Sequence, residues 1–319
     1  MVAEANIPLV PVVIFYLCCA IVSCIGNSIM IILFIKERNF HSPCHYMITF
    51  GCLADMLHLC GHFVFNYHIF ADVTDTQANC YWMLFFTSIG KCMANPLRLM
   101  TGIDRLIACK SPVVYRALLE RPALYICAQL VLPATYTSFL MVSGFIQRDP
   151  ISYSKHPKFE NQSSIFRKIY CTVPLAFAGS TFSQFNTSGI FVNVAIVIVY
   201  FFTFMQLRSY AGATQMKVVF RSILWTVVLV IIGWSSVTIA NQFAIFVAKD
   251  ATTRKLIAIY AGIGVNMACA SNFFVFYAIN TEYRHAIRRL FGLASPQSAR
   301  AMSIGPKSTT KVGATITLT

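Results

Sequence analysis

Residues 102–115 read GIDRLIACKSPVVY. Asp104 and Arg105 stand side by side at the end of a long apolar run, with Pro112 and Tyr115 shortly after. Charges beside such a run make sense only once its surroundings are known. Hydrophobic residues are 57% of the 319-residue chain and charged residues 11%. A soluble domain carries about 25% charged residues, so this chain has too few to coat a water-facing surface. A helix crosses the hydrocarbon core with ~20 apolar residues, and seven stretches qualify: 9–35, 44–70, 80–109, 122–147, 183–207, 219–247 and 255–279. With no water to satisfy backbone groups, such runs close into helices. The expectation is an all-α, seven-transmembrane helix bundle. No alternating ten-residue pattern of a membrane barrel is present, and the first run lacks the basic start and small-residue cleavage site of a signal peptide.

The net charge of +14 gains meaning only from its position along the spans. Lys36, Arg38, Lys110, Arg116, Arg121, Arg208 and Lys217 fall in the odd-numbered loops, and Arg284, Arg288 and Arg289 follow the last span. The sixth loop, with Lys249, Arg254 and Lys255, runs against the trend. The balance predicts an outer N-terminus and an inner C-terminus, in a multi-pass membrane protein whose positive charge does not point to nucleic acid. Ten of the 12 cysteines fall within or at the ends of spans, where they act as small apolar residues. Cys80 and Cys171 remain, both on the expected oxidising side, where a disulfide persists; two unpaired thiols are the alternative. Asn161, in NQS of the long loop 148–182, is a glycosylation sequon, and Asn186, in NTS where span five enters the membrane, is a weaker one.

No internal repeat or second domain appears. Residues 1–279 read as the membrane domain. Residues 280–294 read as an amphipathic juxtamembrane helix, with Tyr283, Ile287, Leu290, Phe291 and Ala294 on one face and its arginines turned toward anionic membrane lipid. Residues 295–319, rich in Ser, Thr, Gly and Pro, read as a disordered inner tail.

Ionisable residues inside a span mark function by default. Lys91, Arg98 and Arg105 recur every seven residues, nearly two helical turns, and so form one stripe. On the second span Asp55, His58 and His62 share a face. Asp55 lies ~16 Å above the inner end of its helix and Arg98 ~10 Å above Arg105, which brings the two within side-chain reach and predicts an ion pair. Lys91 has no acid at its depth. It either faces a cavity that takes an anionic or carbonyl-bearing ligand, or is uncharged, or is bonded to a backbone carbonyl. Two histidines without a third ligand do not make a metal site.

In this setting the chain resembles the rhodopsin-like G-protein-coupled receptors over about residues 10–291 and, among them, the nematode serpentine chemoreceptors of class SX. Gly26 and Asn27 match the first span, Asp55 in LAD the second, and Cys80 and Asp104-Arg105-Leu106 with Pro112 and Tyr115 the third span and second inner loop. Trp234 in GWSS matches the sixth span, and SNFFVFYAINTEYRHAI the end of the seventh. Departures are Leu106 for Tyr, Phe273 for Pro, Phe276 for Tyr, and Ser236 where Pro bends the sixth span; span five has no proline and span four no Trp.

The resemblance implies a receptor that passes a small-molecule or peptide signal to a heterotrimeric G protein, with no cofactor. It makes Asp104 the lock, Arg105 the coupling contact, Pro112 the helix end and Tyr115 the start of the next loop. It makes Asn27, Asp55 and Asn272 a mid-bundle polar relay, joined here by Arg98, whose guanidinium takes the place of the sodium ion often held there. Depth and facing pick Thr87, Ser88, Lys91, Trp234, Asn241 and Gln242 as the ligand pocket. Alternatives are a non-signalling receptor-like protein and a small-solute transporter, although the paired, broken half-helices of transporters are missing. No H-E-x-x-H, G-x-S-x-G or paired intramembrane carboxylate suggests an enzyme. A retinal-binding lysine within span seven is also missing, since Lys255 sits at its extreme end.

Overall fold

A computed structural model describes residues 4–148, 169–177, 179–209, 214–248 and 251–293. The described chain is helical: α1 (Val10–Lys36), α2 (Pro43–Phe70), α3 (Gln77–Met83), α4 (Phe85–Lys110), α5 (Pro112–Leu119), α6 (Pro122–Gln147), α7 (Gly179–Ser209), α8 (Thr214–Val247), α9 (Ala251–Ala261), α10 (Ile263–Ala270), α11 (Asn272–Ile279) and α12 (Thr281–Leu290). Among the described residues the one β feature is an isolated antiparallel bridge between Asp75 and Ile169. Proline at the first or second position opens α1, α2, α5 and α6, where its missing N–H would have no partner anyway.

The helices are apolar outward. On α1, Ile14, Ile21, Ile25, Ile32 and Ile35 form an exposed stripe, while Ser23, Gly26, Asn27 and Met30 face inward. Exposed Phe191, Val194, Ile198, Phe201, Phe202 and Met205 extend the same pattern along α7. So much exposed apolar surface does not suit a soluble monomer and fits lipid. Five helices are long and apolar enough to cross a membrane, and the bent pair Leu256–Ala270 with Asn272–Ile279 makes a sixth. The remaining span, α4, falls short because it carries Lys91, Arg98, Asp104 and Arg105, all buried. It is the central rod, packed by α2, α6 and α7, so protein rather than lipid surrounds its charges. Seven helical passages thus form the bundle.

Two spans expected to be continuous are interrupted. The third breaks at Leu84, between α3 and α4. The seventh breaks at Gly262 and again at Ser271, where the axis bends by 47°. No proline makes that bend. Ser271 Oγ donates to the Ala268 carbonyl at 2.7 Å and the Ser271 N–H to the same oxygen at 3.1 Å. A serine that takes up a carbonyl of the preceding turn competes with the helical ladder and bends it.

Close approach needs glycine at one crossing. A Cβ on Gly233 of α8 would lie 2.8 Å from Val265 Cα of α10, and one on Gly264 would lie 3.3 Å from Gly233 Cα. Small residues let helix backbones pack directly in a membrane bundle.

At one end of the bundle Cys80 and Cys171 are joined by a disulfide, their Cα atoms 5.2 Å apart, within the usual range. At the opposite end Asn280 caps α12 by accepting from the N–H groups of Glu282 and Tyr283 at 3.0 and 3.2 Å. Of the amphipathic face expected over 280–294, Tyr283 and Ile287 are buried in the bundle core beside Phe40 and Phe276 rather than against lipid. Gly292, at φ 69°, stops the helix after Leu290, with its N–H on the Arg289 carbonyl at 3.1 Å, and Ala294 of the expected face lies outside the described residues. The expectations for Asn161 and for 295–319 lie outside the described residues.

Candidate functional site

The end opposite the disulfide holds the opening charge pair. Arg105 donates from Nε and Nη2 to Asp104 Oδ2 at 2.8 and 2.5 Å. Its Nη2 also donates to the Tyr115 hydroxyl at 2.8 Å. Asp104 is fully buried, so its second oxygen needs donors as well. Two come from α6: Tyr125 hydroxyl at 3.1 Å and Gln129 Nε2 at 3.3 Å, both to Oδ1. Neither residue was picked from the sequence. The signal was the stripe Tyr125, Gln129, Pro133, Thr137, Met141, which α6 buries every four residues. Burial pushes the Tyr115 phenol above its ordinary pKa, so it stays protonated beside the guanidinium.

The local chain path differs from expectation. Pro112 does not simply end a helix, and Tyr115 does not begin a loop. Lys110 ends α4, Ser111 turns the chain, and Pro112 opens α5 with Tyr115 in its first turn. That short helix aims the Tyr115 hydroxyl at Arg105. Helix α8 contains no Asp or Glu, so it offers Arg105 no acid, and the neighbouring aspartate is its ion-pair partner.

Midway along the bundle Arg98 Nη2 donates to Asp55 at 2.7 Å (Oδ1) and 2.5 Å (Oδ2). Asn272 Nδ2 donates to the same carboxylate at 2.8 Å and to Asn27 Oδ1 at 3.1 Å. Asn27 in turn donates to Ser23 Oγ at 2.8 Å. On the other side Arg98 Nη1 donates to Asn95 Oδ1 at 3.2 Å, and Asn95 donates to Asn193 Oδ1 at 3.2 Å. A polar chain therefore runs Ser23, Asn27, Asn272, Asp55, Arg98, Asn95, Asn193, linking α1, α11, α2, α4 and α7. A cavity of about 40 Å³ adjoins Asp55 and Arg98, with room for about one water at ~30 Å³ each.

A larger cavity of about 220 Å³ opens between α4, α6, α7 and α8, where Lys91, Asn95, Tyr136, Phe185, Asn193 and Trp234 line it. Lys91 is 4% exposed, and its Nζ lies 3.8 Å from the Phe185 ring centroid and 5.8 Å from that of Phe177. Trp234 sits 5.9 Å from Phe185, centroid to centroid. Of the six pocket candidates, the structure brings Lys91 and Trp234 to this cavity. Thr87 turns toward α2, where a Cβ on Gly61 would meet its Cγ2 at 2.5 Å. Ser88 is fully buried with no hydrogen-bond partner among the described residues, away from the lining. The side chains of Asn241 and Gln242 lie outside the described residues. Asn95 and Asn193 were missed, although Asn95 follows Lys91 by one helical turn on the same face. Asn186, read as a weak sequon at the membrane entry, lies within α7 and lines this cavity.

Seven membrane-crossing helices, a disulfide tying the start of the third to the long loop after the fourth, and a clasped arginine at the far end of the third define a seven-helix membrane bundle. A family model described as serpentine type 7TM GPCR chemoreceptor Srsx matches residues 20–291, and the chain belongs to that family. No curated protein matches the chain.

Proposed function

We propose that the chain is a chemosensory receptor of the plasma membrane that couples a small ligand, bound in the outer half of the bundle, to a heterotrimeric G protein at the inner end. The N-terminus and the disulfide lie outside, and α5 and α12 lie inside. The observation that carries this reading is the closed clasp of Arg105 on Asp104, held from the other side by Tyr125 and Gln129.

A receptor transmits when ligand and effector both prefer the same minor conformation. The clasp belongs to the resting conformation. Phe220 at the inner end of α8 stacks on Tyr200 of α7 at 5.9 Å, and Tyr200 donates to the Arg98 carbonyl at 3.2 Å. Outward movement of α8 breaks that packing and opens a cleft beside Arg105. The guanidinium, released from Asp104, then donates to backbone carbonyls of the inserted G-protein segment. Ligand enters by stabilising the open arrangement, and it needs only a higher affinity for that state.

The test is to express the receptor with a promiscuous G protein, screen small odorants and peptides, and compare wild type with Arg105→Ala at matched surface level. The reading predicts responses that Arg105→Ala abolishes. Responses indifferent to the substitution would remove the coupling role.

A further inference from the structure

Only two of the 11 acidic residues of the chain, Asp55 and Asp104, fall in the spans. Each is taken by an arginine, Asp55 by Arg98 and Asp104 by Arg105. Lys91 is therefore left as a buried cation in the bundle with no acid to meet it. Among the described residues no ion pair or hydrogen bond holds its Nζ, which instead rests over the Phe185 ring. An aromatic face attracts a cation less strongly than water does, so it does not offset the loss of hydration on burial. The lysine also borders the 220 Å³ cavity rather than a packed wall. An unpaired buried cation, an adjoining cavity and the lack of any free intramembrane acid all call for an anion from outside.

We infer that the cavity between α4, α6, α7 and α8 is a binding site for a small monocarboxylate, its carboxylate on Lys91 and its apolar body against Phe185 and Trp234. This deepens the receptor reading and rests on it. The cavity volume equals that of about seven waters at ~30 Å³ each, which suits a short aliphatic or single-ring acid rather than a peptide. Asn95 and Asn193 border the same cavity and supply amide groups for the second carboxylate oxygen. Asn95 also accepts from Arg98. A carboxylate that recruits the Asn95 Nδ2 donor competes with Asn193 Oδ1 for it, while Asn95 Oδ1 still accepts from Arg98, so the shared Asn95 side chain links the site to the Asp55 pair.

The experiment uses the purified full-length chain in lipid nanodiscs without G protein, read by thermal shift. The probes are butyrate, hexanoate and phenylacetate, each beside its neutral amide. Two variants, Lys91→Met and Lys91→Gln, are measured in parallel. The proposal predicts that at least one carboxylate raises the unfolding midpoint at millimolar concentration while its amide does not, and that both variants lose the shift. It also predicts that Lys91→Met, with no probe present, unfolds at a higher temperature than wild type, because an uncompensated charge is gone. Equal shifts from acid and amide, retained shifts in both variants, or no shift from any carboxylate would overturn it. So would a lower midpoint, or failure to fold, in both variants, since Lys91 would then have a structural partner. Because binding is read without G protein, loss of this site and loss of the coupling role are separable results.

Discussion

Asp55 on α2 and Arg98 on α4 meet through two hydrogen bonds at 2.7 and 2.5 Å, both buried, and Asn272 completes the carboxylate at 2.8 Å. The pair stands at the centre of a polar chain that spans five helices. Disturbing the pair is therefore expected to affect both the stability of the bundle and binding at its centre.

Removing one member leaves the other charged and buried, which costs about 3–5 kcal/mol. Arg98→Met is expected to lower the thermal midpoint and surface level sharply. Adding Asp55→Asn removes the orphaned charge and restores most of the loss. A double-mutant cycle on unfolding midpoints measures this; independent, additive effects would show that the two residues do not act as a pair.

The same geometry bears on sodium. Both Asp55 oxygens accept donors, and the Arg98 charge already balances the carboxylate. The adjoining cavity of about 40 Å³ has room for a water but offers no uncompensated negative charge. Agonist affinity is therefore expected to be unchanged when sodium chloride is replaced by choline chloride. A sodium-dependent affinity in a competition binding assay would contradict the placement of the guanidinium.

Helix contact at Gly233 predicts a steric effect with no change in charge. Gly233→Ala puts a methyl 2.8 Å from Val265 Cα, a backbone atom that cannot step aside. Separation of α8 from α10 is expected to cost about 1–3 kcal/mol, seen as a lower unfolding midpoint. Gly189→Ala, where a Cβ meets nothing within 4 Å, serves as the tolerated control.

Tyr125 and Gln129 hold Asp104 from α6, and neither lines the cavity of about 220 Å³ beside Lys91. Each hydrogen bond to the charged carboxylate is worth about 1.5–3 kcal/mol. Tyr125→Phe and Gln129→Leu are expected to weaken the resting clasp and raise basal G-protein activation at matched surface level. Unchanged or lowered basal activity in both would mean that the α6 contacts do not favour the resting state.

Which parts of this architecture were readable beforehand follows from what periodicity reports. A helical repeat says which residues share a face and how deep they lie. From that alone came the stripe of Lys91, Arg98 and Arg105 and the matching depths of Asp55 and Arg98, because rise per residue is constant. Periodicity does not say which neighbouring helix a face meets. Thr87 and Ser88 were chosen by depth and facing, yet Thr87 packs toward Gly61 of α2 and Ser88 does not line the cavity. Tyr125, Gln129 and Asn193 were missed for the same reason: each gains its role from a different helix, whereas Ser23 meets Asn27 one turn along α1 itself. The bend at Ser271 was not legible because a side chain, rather than a proline, takes up the carbonyl. The helical character of α5 was hidden by its brevity and by the proline at its start.

The proposed function requires that Asp104 restrain Arg105 in the resting receptor. It is tested most directly by the basal rate of nucleotide exchange that purified receptor catalyses on a G protein, with wild type, Asp104→Asn and Arg105→Ala in identical nanodiscs. Loss of the charge from the clasp, at about 1.4 kcal/mol per factor of ten, predicts a basal rate about tenfold or more above wild type for Asp104→Asn and none for Arg105→Ala. Folded Asp104→Asn receptor with a wild-type basal rate, or folded Arg105→Ala receptor that still drives exchange, would contradict the account.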